Sequence, residues 1–292
     1  MPIRKVLILG CKGTLGGQLM KLYPEATGWD REDVDVLDFP ALRARVTALD
    51  CVPDAVINCV AFNDVDGAED RPQPAFALNE EFPGKLAQFT RELAIPLVHY
   101  SSNYVFDGIQ GDYVETDSPA PLSIYGRSKW GGERRIAEAA GPSYVVRTAV
   151  IFGPKGESDL SKKSFVDLMR DLSATRSTIQ AVSDEINSVT YAPDLAAATQ
   201  SLLHRLPPPG IYHLTNSGGA SWFDLAGEIF RITGKSIDLL PVPSTHFPRK
   251  ALRPPKAILH NTKLPELRTW QAALGEFLRA SVQRKDISPQ RR

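Results

Sequence analysis

The sequence has 292 residues, which suffices for one large α/β domain or two unequal domains and excludes a single small module. Its 42% hydrophobic and 23% charged residues are typical of a globular protein with a buried core. The 34 basic and 34 acidic residues give zero formal charge, so the chain as a whole lacks the basic surface of nucleic-acid-binding proteins. We therefore expect a small molecule or a protein as partner, and no nucleic acid.

The cysteine, histidine and apolar patterns limit the environment of the protein. Cys11, Cys51 and Cys59 are too few and too irregularly spaced for a disulfide framework or a zinc site. The five histidines show no metal-ligand spacing, so no bound metal is expected. No run approaches the about 18 consecutive apolar residues of a membrane span. These patterns predict a cytoplasmic protein without membrane contact.

Apolar runs of strand length alternate with helical patterns through the first half of the chain. The predicted strands cover 6–9, 55–60, 96–100 and 144–150, and the predicted helices cover 15–22, 39–49, 75–93 and 128–140. Buried strands that alternate with helices are typical of βαβ units, in which a parallel sheet is covered on both faces. The predicted fold class is therefore α/β, with a doubly wound parallel Rossmann sheet.

After Gly153 this alternation ends. A helix is predicted at 165–172, a strand at 179–182, and a helix from Pro193 to 206, where Pro207 and the next two prolines end it. Shorter elements follow, including a helix capped at Ser221, and they predict a smaller C-terminal substrate lobe. The predicted division assigns 1–153 plus about 178–206 to an NAD(P)-binding Rossmann domain, about 154–177 and 207–282 to the substrate-binding lobe, and 283–292 to a flexible tail.

A glycine-rich segment follows the first predicted strand and opens the first predicted helix. Three glycines at this position permit a tight turn, approach of a pyrophosphate to the backbone, and close helix packing. Their spacing, G-x-x-G-x-x-G, differs by one residue from the common dinucleotide fingerprint, and an ordinary turn is the alternative. The residues predicted to contact a dinucleotide are Gly10, Cys11, Lys12, Gly13, Thr14, Leu15 and Gly16.

Two adjacent residues of opposite charge stand where the second strand is expected to end. Asp30 is twenty residues after Gly10, and an acidic residue there usually binds the ribose hydroxyls of NAD. Arg31 instead favours the additional phosphate of NADP. Asp38 and Phe39 are candidates for contact with the adenine, with a helix N-cap as the alternative for Asp38. The expected cofactor is NADPH, with NADH left open.

The pair Tyr125 and Lys129 predicts catalytic chemistry. Residues four apart on a helix share one face, so the ammonium group can depress the pKa of the phenol and reach the ribose of a nicotinamide cofactor. Ser102 follows the strand predicted at 96–100 and supplies a hydroxyl. Hydroxyl, phenol and ammonium together are typical of carbonyl reduction.

The segments around these residues match one known family across nearly the whole chain. They include 53–61, Val65-Asp66 with Ala68-Glu69, Asn79, 98–108, Tyr113-x-Glu115-Thr-Asp117, 121–133, Arg147-Thr148, 190–195, 210–214, Ser221-Trp222 and Arg253-Pro254. With this pattern the chain resembles the extended short-chain dehydrogenases/reductases, and within them the dTDP-4-dehydrorhamnose reductase family.

The resemblance implies a role for each matching residue. It makes Tyr125 the general acid, Lys129 its electrostatic partner and cofactor anchor, and Ser102 the substitute for a family threonine. The residues that it places along the cofactor are Val60, Ala61 and Phe62, in addition to Tyr125 and Lys129. The residues that it places at the substrate are Ser102, Asn103, Tyr104, Tyr125, Val150 and Arg253.

Three departures from the family pattern fall in the expected substrate pocket. Asn103 replaces an aspartate, and Val150 replaces the tryptophan of an Arg-Thr-Ser-Trp segment. The segment Asn187-Ser-Val-Thr190 replaces Gly-Ser-Pro-Thr. The cofactor half of the pattern is intact, so these departures concern the identity of the sugar.

The resemblance implies an NAD(P)H-dependent reductase of a nucleotide-linked 4-keto-6-deoxysugar, with that sugar as partner. One alternative is a non-catalytic regulatory subunit similar to the β subunit of methionine adenosyltransferase. Another is a nucleotide-sugar epimerase or dehydratase, although Asn103 cannot supply the additional acid that a dehydratase needs. A homodimer is left open.

Overall fold

The computed structural model describes residues 3–158 and 163–287, with side chains as far as residue 280. Its strands are β1 (Val6–Leu9), β2 (Thr27–Trp29), β3 (Ala55–Asn58), β4 (Leu97–Ser102), β5 (Gly111–Tyr113), β6 (Ser143–Thr148), β7 (Ile151–Phe152), β8 (Thr178–Val182), β9 (Ile186–Ser188), β10 (Thr190–Tyr191), β11 (Gly210–His213), β12 (Asn216–Ser217), β13 (Gly219–Ser221), β14 (Asp238–Val242), β15 (Lys256–Leu259) and β16 (Leu267–Thr269).

Its α-helices are α1 (Thr14–Leu22), α2 (Phe39–Thr47), α3 (Val65–Asp70), α4 (Pro72–Phe76), α5 (Phe82–Glu92), α6 (Ile124–Ala139), α7 (Phe165–Leu172), α8 (Ala192–Arg205), α9 (Trp222–Thr233) and α10 (Trp270–Ile287). A π-helical segment, Ala77–Glu81, joins α4 to α5, and short 3-10 turns occur at Asn103–Val105 and Ser244–His246.

The main sheet is parallel and is covered by helices on both faces. Its strand order is β11-β6-β4-β3-β1-β2. Apolar side chains of α1 and α8 pack on one face of the sheet, and those of α2, α5 and α6 pack on the other. Every residue of β1 and β3 is buried, as a strand covered on both faces requires. The predicted doubly wound α/β fold is confirmed.

A smaller lobe has its own core. A four-stranded sheet of order β13-β9-β15-β5 lies beside the pair β14-β8. Side chains of α7, α9 and α10 enclose this second core, in which Met169, Ile229 and Leu274 are buried. The carboxyl ends of the parallel strands β4 and β6 face the lobe. The turn after β4 contacts β15 of the lobe sheet.

Strand pairing corrects the predicted division in two places. β8 falls in the 178–206 segment that was assigned to the Rossmann domain, but it pairs with β14 and lies in the lobe core. β11 falls in the 207–282 segment that was assigned to the lobe, but it pairs with β6 and extends the main sheet. Both strands are apolar, and the long-range partner decides their location. The other boundaries stay predictions.

The predicted C-terminal tail and the helix predicted at 75–93 have other bounds in the structure. Helix α10 continues to Ile287, so residues 283–287 of the predicted flexible tail are helical, and residues 288–292 lie outside the described residues. The single helix predicted at 75–93 is interrupted by the π-helical segment. Pro83 has no amide hydrogen to donate to the carbonyl of Asn79, and Gly132 of α6 approaches that carbonyl so closely that a Cβ atom would lie 2.1 Å from it.

Candidate active site

The glycine loop between β1 and α1 has little room for side chains. Gly10 has a φ of +76°, and a Cβ atom there would lie 3.2 Å from the backbone of Cys59. A Cβ atom on Gly16 would lie 2.1 Å from the carbonyl oxygen of Gly10, so α1 begins in direct contact with the turn. Gly13 is the N-cap of α1 and has no side chain to cap it. This arrangement fits an anion above the helix N-terminus.

Asp30 holds the glycine loop against the end of β2. Its Oδ2 accepts a hydrogen bond from the amide of Lys12 at 3.0 Å, and its Oδ1 accepts one from the amide of Arg31 at 2.9 Å. Glu32 lies between two cations, with its carboxylate 3.1 Å from Lys12 Nζ and 3.6 Å from Arg31 Nε. Two cationic groups beside the loop fit an additional phosphate.

The structure places Asp38 and Phe39 at the start of α2. Asp38 accepts a hydrogen bond from the amide of Ala41 at 3.1 Å, so it is the N-cap that the sequence left open. Phe39 packs edge-on against Phe89, with ring centroids 6.1 Å apart. Both residues therefore have structural roles, and their contact with an adenine stays a prediction.

The loop after β3 continues the same edge of the sheet. Val60, Ala61 and Phe62 are half-buried there, as expected for residues along a cleft. Asn79 of the π-helical segment holds this loop through two hydrogen bonds. Its Oδ1 atom accepts one from the amide of Phe62 at 2.9 Å, and its Nδ2 atom donates one to the carbonyl oxygen of Phe62 at 3.0 Å. The same amide group donates to Ser128 of α6 at 3.0 Å. Asn79 thus ties the cofactor edge to the helix that carries Tyr125.

Gly156 belongs to the site but had no distinguishing sequence signal. The loop after β7 crosses the glycine loop, and the amide of Ser158 donates to the carbonyl of Lys12 at 3.0 Å. A Cβ atom on Gly156 would lie 2.4 Å from that carbonyl oxygen and 2.7 Å from the amide nitrogen of Thr14. A glycine two residues after Pro154 in a polar stretch predicts only a turn, and no local pattern indicates its contact with a loop more than a hundred residues away.

The three predicted catalytic side chains are brought together at the carboxyl end of β4. Ser102 is the last residue of that strand, and its hydroxyl lies close enough to the phenol of Tyr125 to influence its pKa. Tyr125 and Lys129 are buried on α6, which begins after the N-cap Ser123. The Nζ atom of Lys129 donates to the carbonyl oxygen of Tyr100 at 2.7 Å. Hydroxyl, phenol and ammonium therefore converge on one point of the sheet edge.

Burial changes the acidity of this group in a way that corrects one expectation. Burial raises the pKa of Tyr125 to about 12, and the nearby Ser102 hydroxyl opposes this shift. Burial lowers the pKa of Lys129 to about 8, against the opposing charge of Glu133. The expected depression of the phenol pKa by Lys129 is absent, because desolvation dominates and the ammonium is bonded to Tyr100. At neutral pH the phenol carries its proton and is ready to donate it.

Tyr104 and Arg253 meet beside Tyr125. The rings of Tyr104 and Tyr125 are edge-on with centroids 5.9 Å apart. Arg253 lies beside Tyr104 and binds both carboxylate oxygens of Asp66, at 2.7 and 3.2 Å. This contact holds the pKa of the Asp66 carboxyl at about 2. The predicted substrate residue Arg253 is therefore an ion-pair partner of Asp66 on α3, and its contact with the substrate stays a prediction.

The two replaced pocket residues have unusual surroundings. Val150 follows β6 with a φ of +32°, which is rare for a β-branched residue, and the strand predicted at 144–150 ends at Thr148 for this reason. Asn103 is buried, and its amide donates to Asn187 and to the carbonyl of Ala257. The strained backbone at Val150 is of a kind that is typical of functional sites.

The part of the chain that the structure describes has neither a metal-ligand cluster nor a membrane-spanning helix. No group of three or more His, Cys, Asp or Glu side chains there is placed to hold a metal ion. No helix in the same part is long and apolar enough to cross a membrane.

Known proteins resemble both the sheet and the lobe. The family model for the RmlD substrate binding domain matches residues 4–283. A dTDP-4-dehydrorhamnose reductase from Streptomyces griseus is 35% identical over 291 residues, covering 94% of this chain and 93% of the relative. A probable dTDP-4,6-dihydroxy-2-methyloxan-3-one 4-ketoreductase from Streptomyces antibioticus is 35% identical over 284 residues, covering 92% and 93%.

One solved structure extends this similarity to three dimensions. It is a dTDP-4-dehydrorhamnose reductase from Bacillus anthracis str. Ames in complex with NADP, with a TM-score of 0.88 and 30% identity. The match covers 95% of this chain and 99% of that chain.

Proposed function

The chain belongs to the RmlD substrate binding domain family of dTDP-4-dehydrorhamnose reductases, and we propose that it reduces the 4-keto group of a nucleotide-linked 6-deoxysugar with NADPH. As a member of this family it is an NADP-dependent oxidoreductase. The observation that carries the proposal is the approach of the Ser102 hydroxyl to the Tyr125 phenol, with Lys129 one helical turn further on.

The glycine loop fits a dinucleotide phosphate. Gly10 and Gly16 leave no side-chain volume at the turn, and α1 begins there with its N-terminus directed at the loop. Lys12 and Arg31 lie on either side of Glu32 and supply positive charge for the phosphate that distinguishes NADPH from NADH. We assign the pyrophosphate to the glycine loop and the additional phosphate to Lys12 and Arg31.

NADPH, when bound, supplies the hydride that is added to the keto carbon. The phenol of Tyr125 donates its proton to the oxygen of that carbonyl group. The hydroxyl of Ser102 donates a hydrogen bond to the same oxygen and stabilises the negative charge that develops there. Lys129, held by the carbonyl of Tyr100, is the cofactor anchor on the same helix as the phenol. Burial of all three groups excludes water and strengthens these interactions.

Specific observations disfavour the two alternatives. A non-catalytic regulatory subunit has no need for the contact between Tyr125 and Ser102. A dehydratase needs a further acid beside the hydroxyl residue, and Asn103 is an amide whose donors are directed at Asn187 and Ala257. The cytoplasmic location and the oligomeric state stay predictions of the sequence.

The direct test is to incubate the purified protein and NADPH with dTDP-, UDP- and GDP-linked 4-keto-6-deoxysugars and to follow the absorbance of NADPH. We expect oxidation of NADPH with the dTDP-linked sugar, and a single 4-hydroxy product by NMR. The Tyr125→Phe variant is the control for adventitious reduction. Absence of turnover with every sugar, in a protein that still binds NADPH, would contradict the proposal.

A further inference from the structure

One asparagine side chain holds the turn after the catalytic strand to the lobe. Asn103 is 2% exposed, and its Nδ2 atom donates to Asn187 Oδ1 at 2.7 Å and to the carbonyl oxygen of Ala257 at 3.2 Å. Asn187 on β9 and Ala257 on β15 are register partners in the lobe sheet. A single amide group therefore joins the end of β4 to two neighbouring strands of the lobe.

The contact with Ala257 determines how the Asn103 amide is oriented. A backbone carbonyl oxygen only accepts hydrogen bonds, so Nδ2 must face Ala257, and its second hydrogen is directed at Asn187. Asn103 Oδ1 then faces the catalytic turn, 3.4 Å from the hydroxyl oxygen of Ser102. The bond between the asparagines has a direction: Asn103 donates and Asn187 accepts.

The 3-10 turn at Asn103–Val105 also controls the orientation of Ser102. The amide of Tyr104 donates to Ser102 Oγ at 3.1 Å, and the same hydroxyl contacts Tyr125. On the basis of the proposed reductase function, we propose that Asn103 and Asn187 form a positioning pair that couples the lobe to the Ser102 hydroxyl. The pair acts through Ser102, because both Nδ2 hydrogens of Asn103 are used within the protein.

The pair also explains why an amide occupies position 103. An aspartate has the same shape but no hydrogen to donate, and one of its oxygens would face the carbonyl oxygen of Ala257. Rotation of the Asn187 amide cannot remove this repulsion, because the Ala257 oxygen belongs to the backbone. Asn103 and Asn187 are two of the departures from the family pattern, and in the structure they contact each other directly.

Two isosteric variants test the direction of the bond. We expect Asn103→Asp to lower kcat about tenfold or more at neutral pH, with an unchanged Kd for NADPH, because both donors are lost. We expect Asn187→Asp to keep most of kcat, because a carboxylate still accepts from Asn103. The rate of Asn103→Asp should recover as the pH falls, since a protonated carboxyl group regains a donor. Equal loss of kcat in both variants, or no recovery at low pH, would overturn the proposal.

A matched control separates positioning from stability. Asn216 is also a buried asparagine that donates to a side chain, Asp194, and to a backbone carbonyl, that of Arg268, but it lies away from the catalytic turn. We expect Asn216→Asp to lower Tm and to leave kcat unchanged below the unfolding range, with no recovery of rate at low pH. A loss of kcat equal to that of Asn103→Asp would reduce the pair to a structural contact.

A second readout needs no substrate. Thermal unfolding of Asn103→Ala, Asn187→Ala and the double variant measures the coupling between the two side chains. We expect the Tm loss of the double variant to be smaller than the sum of the single losses, and additive losses would contradict the pairing. If the wild-type protein reduces no sugar but this coupling is present, the proposed function fails while the contact between the asparagines stands.

Discussion

Lys129 donates a hydrogen bond from its Nζ atom to the carbonyl oxygen of Tyr100 at 2.7 Å, two residues before the predicted catalytic residue Ser102 on the same strand. Burial lowers the pKa of this lysine to about 8, so its charge is present below that pH and absent above it. The phenol of Tyr125, with a pKa of about 12, does not titrate in the same range. We therefore expect the lysine to set the alkaline limit of activity.

We expect kcat/KM for NADPH to fall as the pH rises through about 8, because the neutral amine no longer places a positive charge at the predicted cofactor anchor. A pH series of kcat/KM for NADPH at saturating sugar measures this alkaline limb of the profile. The pH dependence of kcat/KM reports the pKa values of groups in the free enzyme. Lys129→Arg is the control, since a guanidinium stays charged in this range and should move the limb to higher pH. A limb at the same pH in that variant would assign it to another group.

Tyr125→Phe should abolish turnover while the Kd for NADPH changes little. Only the proton-donating hydroxyl is lost, and a general acid contributes about 10² to 10⁴ in rate. Stopped-flow kinetics and fluorescence titration with NADPH measure the two quantities separately. Retention of about a third or more of the wild-type kcat would remove Tyr125 from the role of general acid.

Gly156→Ala should weaken NADPH binding. The new Cβ atom would lie 2.4 Å from the carbonyl oxygen of Lys12 and would push the glycine loop out of place. Calorimetry should show a Kd for NADPH raised by about tenfold or more. Gly227→Ala on α9 is the matched control, since its Cβ atom would have no neighbour closer than 3.7 Å. An unchanged Kd in Gly156→Ala would place the loop after β7 outside the cofactor site.

Arg31 and Glu32 should have opposite effects on cofactor preference. Arg31→Ala should raise the KM for NADPH about tenfold and leave the KM for NADH nearly unchanged, because only NADPH carries the additional phosphate. Glu32→Gln should lower the KM for NADPH, because it removes the carboxylate that lies between Lys12 and Arg31.

Glu25→Gln controls for the change in net charge, because Glu25 is exposed before β2. A wild-type enzyme that prefers NADH, or equal effects on both cofactors, would contradict the assignment of the additional phosphate to Lys12 and Arg31.

The buried ion pair between Glu133 and Arg147 should be essential for stability. Their side chains are 4% and 1% exposed, and Arg147 binds both carboxylate oxygens, at 2.9 and 2.7 Å. Glu133→Gln leaves a buried guanidinium without its counter-charge and should lower the free energy of unfolding by about 3 to 5 kcal/mol. Urea denaturation measures the loss. Glu228→Gln, which breaks the exposed pair with Arg231, should change the midpoint little.

Local signals in the sequence predicted most elements and the cofactor half of the site. The helix at 165–172 and the Ser221 cap are found as predicted, because periodicity and capping depend on nearby residues. The approach of Ser102 to Tyr125 was expected from the motif, in which a hydroxyl at a strand end precedes a tyrosine and a lysine four residues apart on a helix.

Long-range contacts were beyond the reach of sequence patterns. β8 and β11 are both short apolar runs, and only their partners place one in the lobe and the other in the main sheet. Asn103 and Asn187 are 84 positions apart, so each departure looked like an isolated pocket change. The pKa of Tyr125 was predicted in the wrong direction, because the spacing to Lys129 carries no information about desolvation.

The position of β11 has a consequence for biosynthesis. This strand forms one edge of the main sheet and covers β6, and α8 before it covers the apolar face of α1. A nascent chain that has reached only Gly153 therefore carries an unpaired β6 edge and an uncovered apolar surface, both of which promote aggregation. Closure of the sheet requires His213 to leave the ribosome, and pairing across this sequence separation slows folding. Ribosomal stalling between these two points would expose the nascent chain to chaperones and proteases.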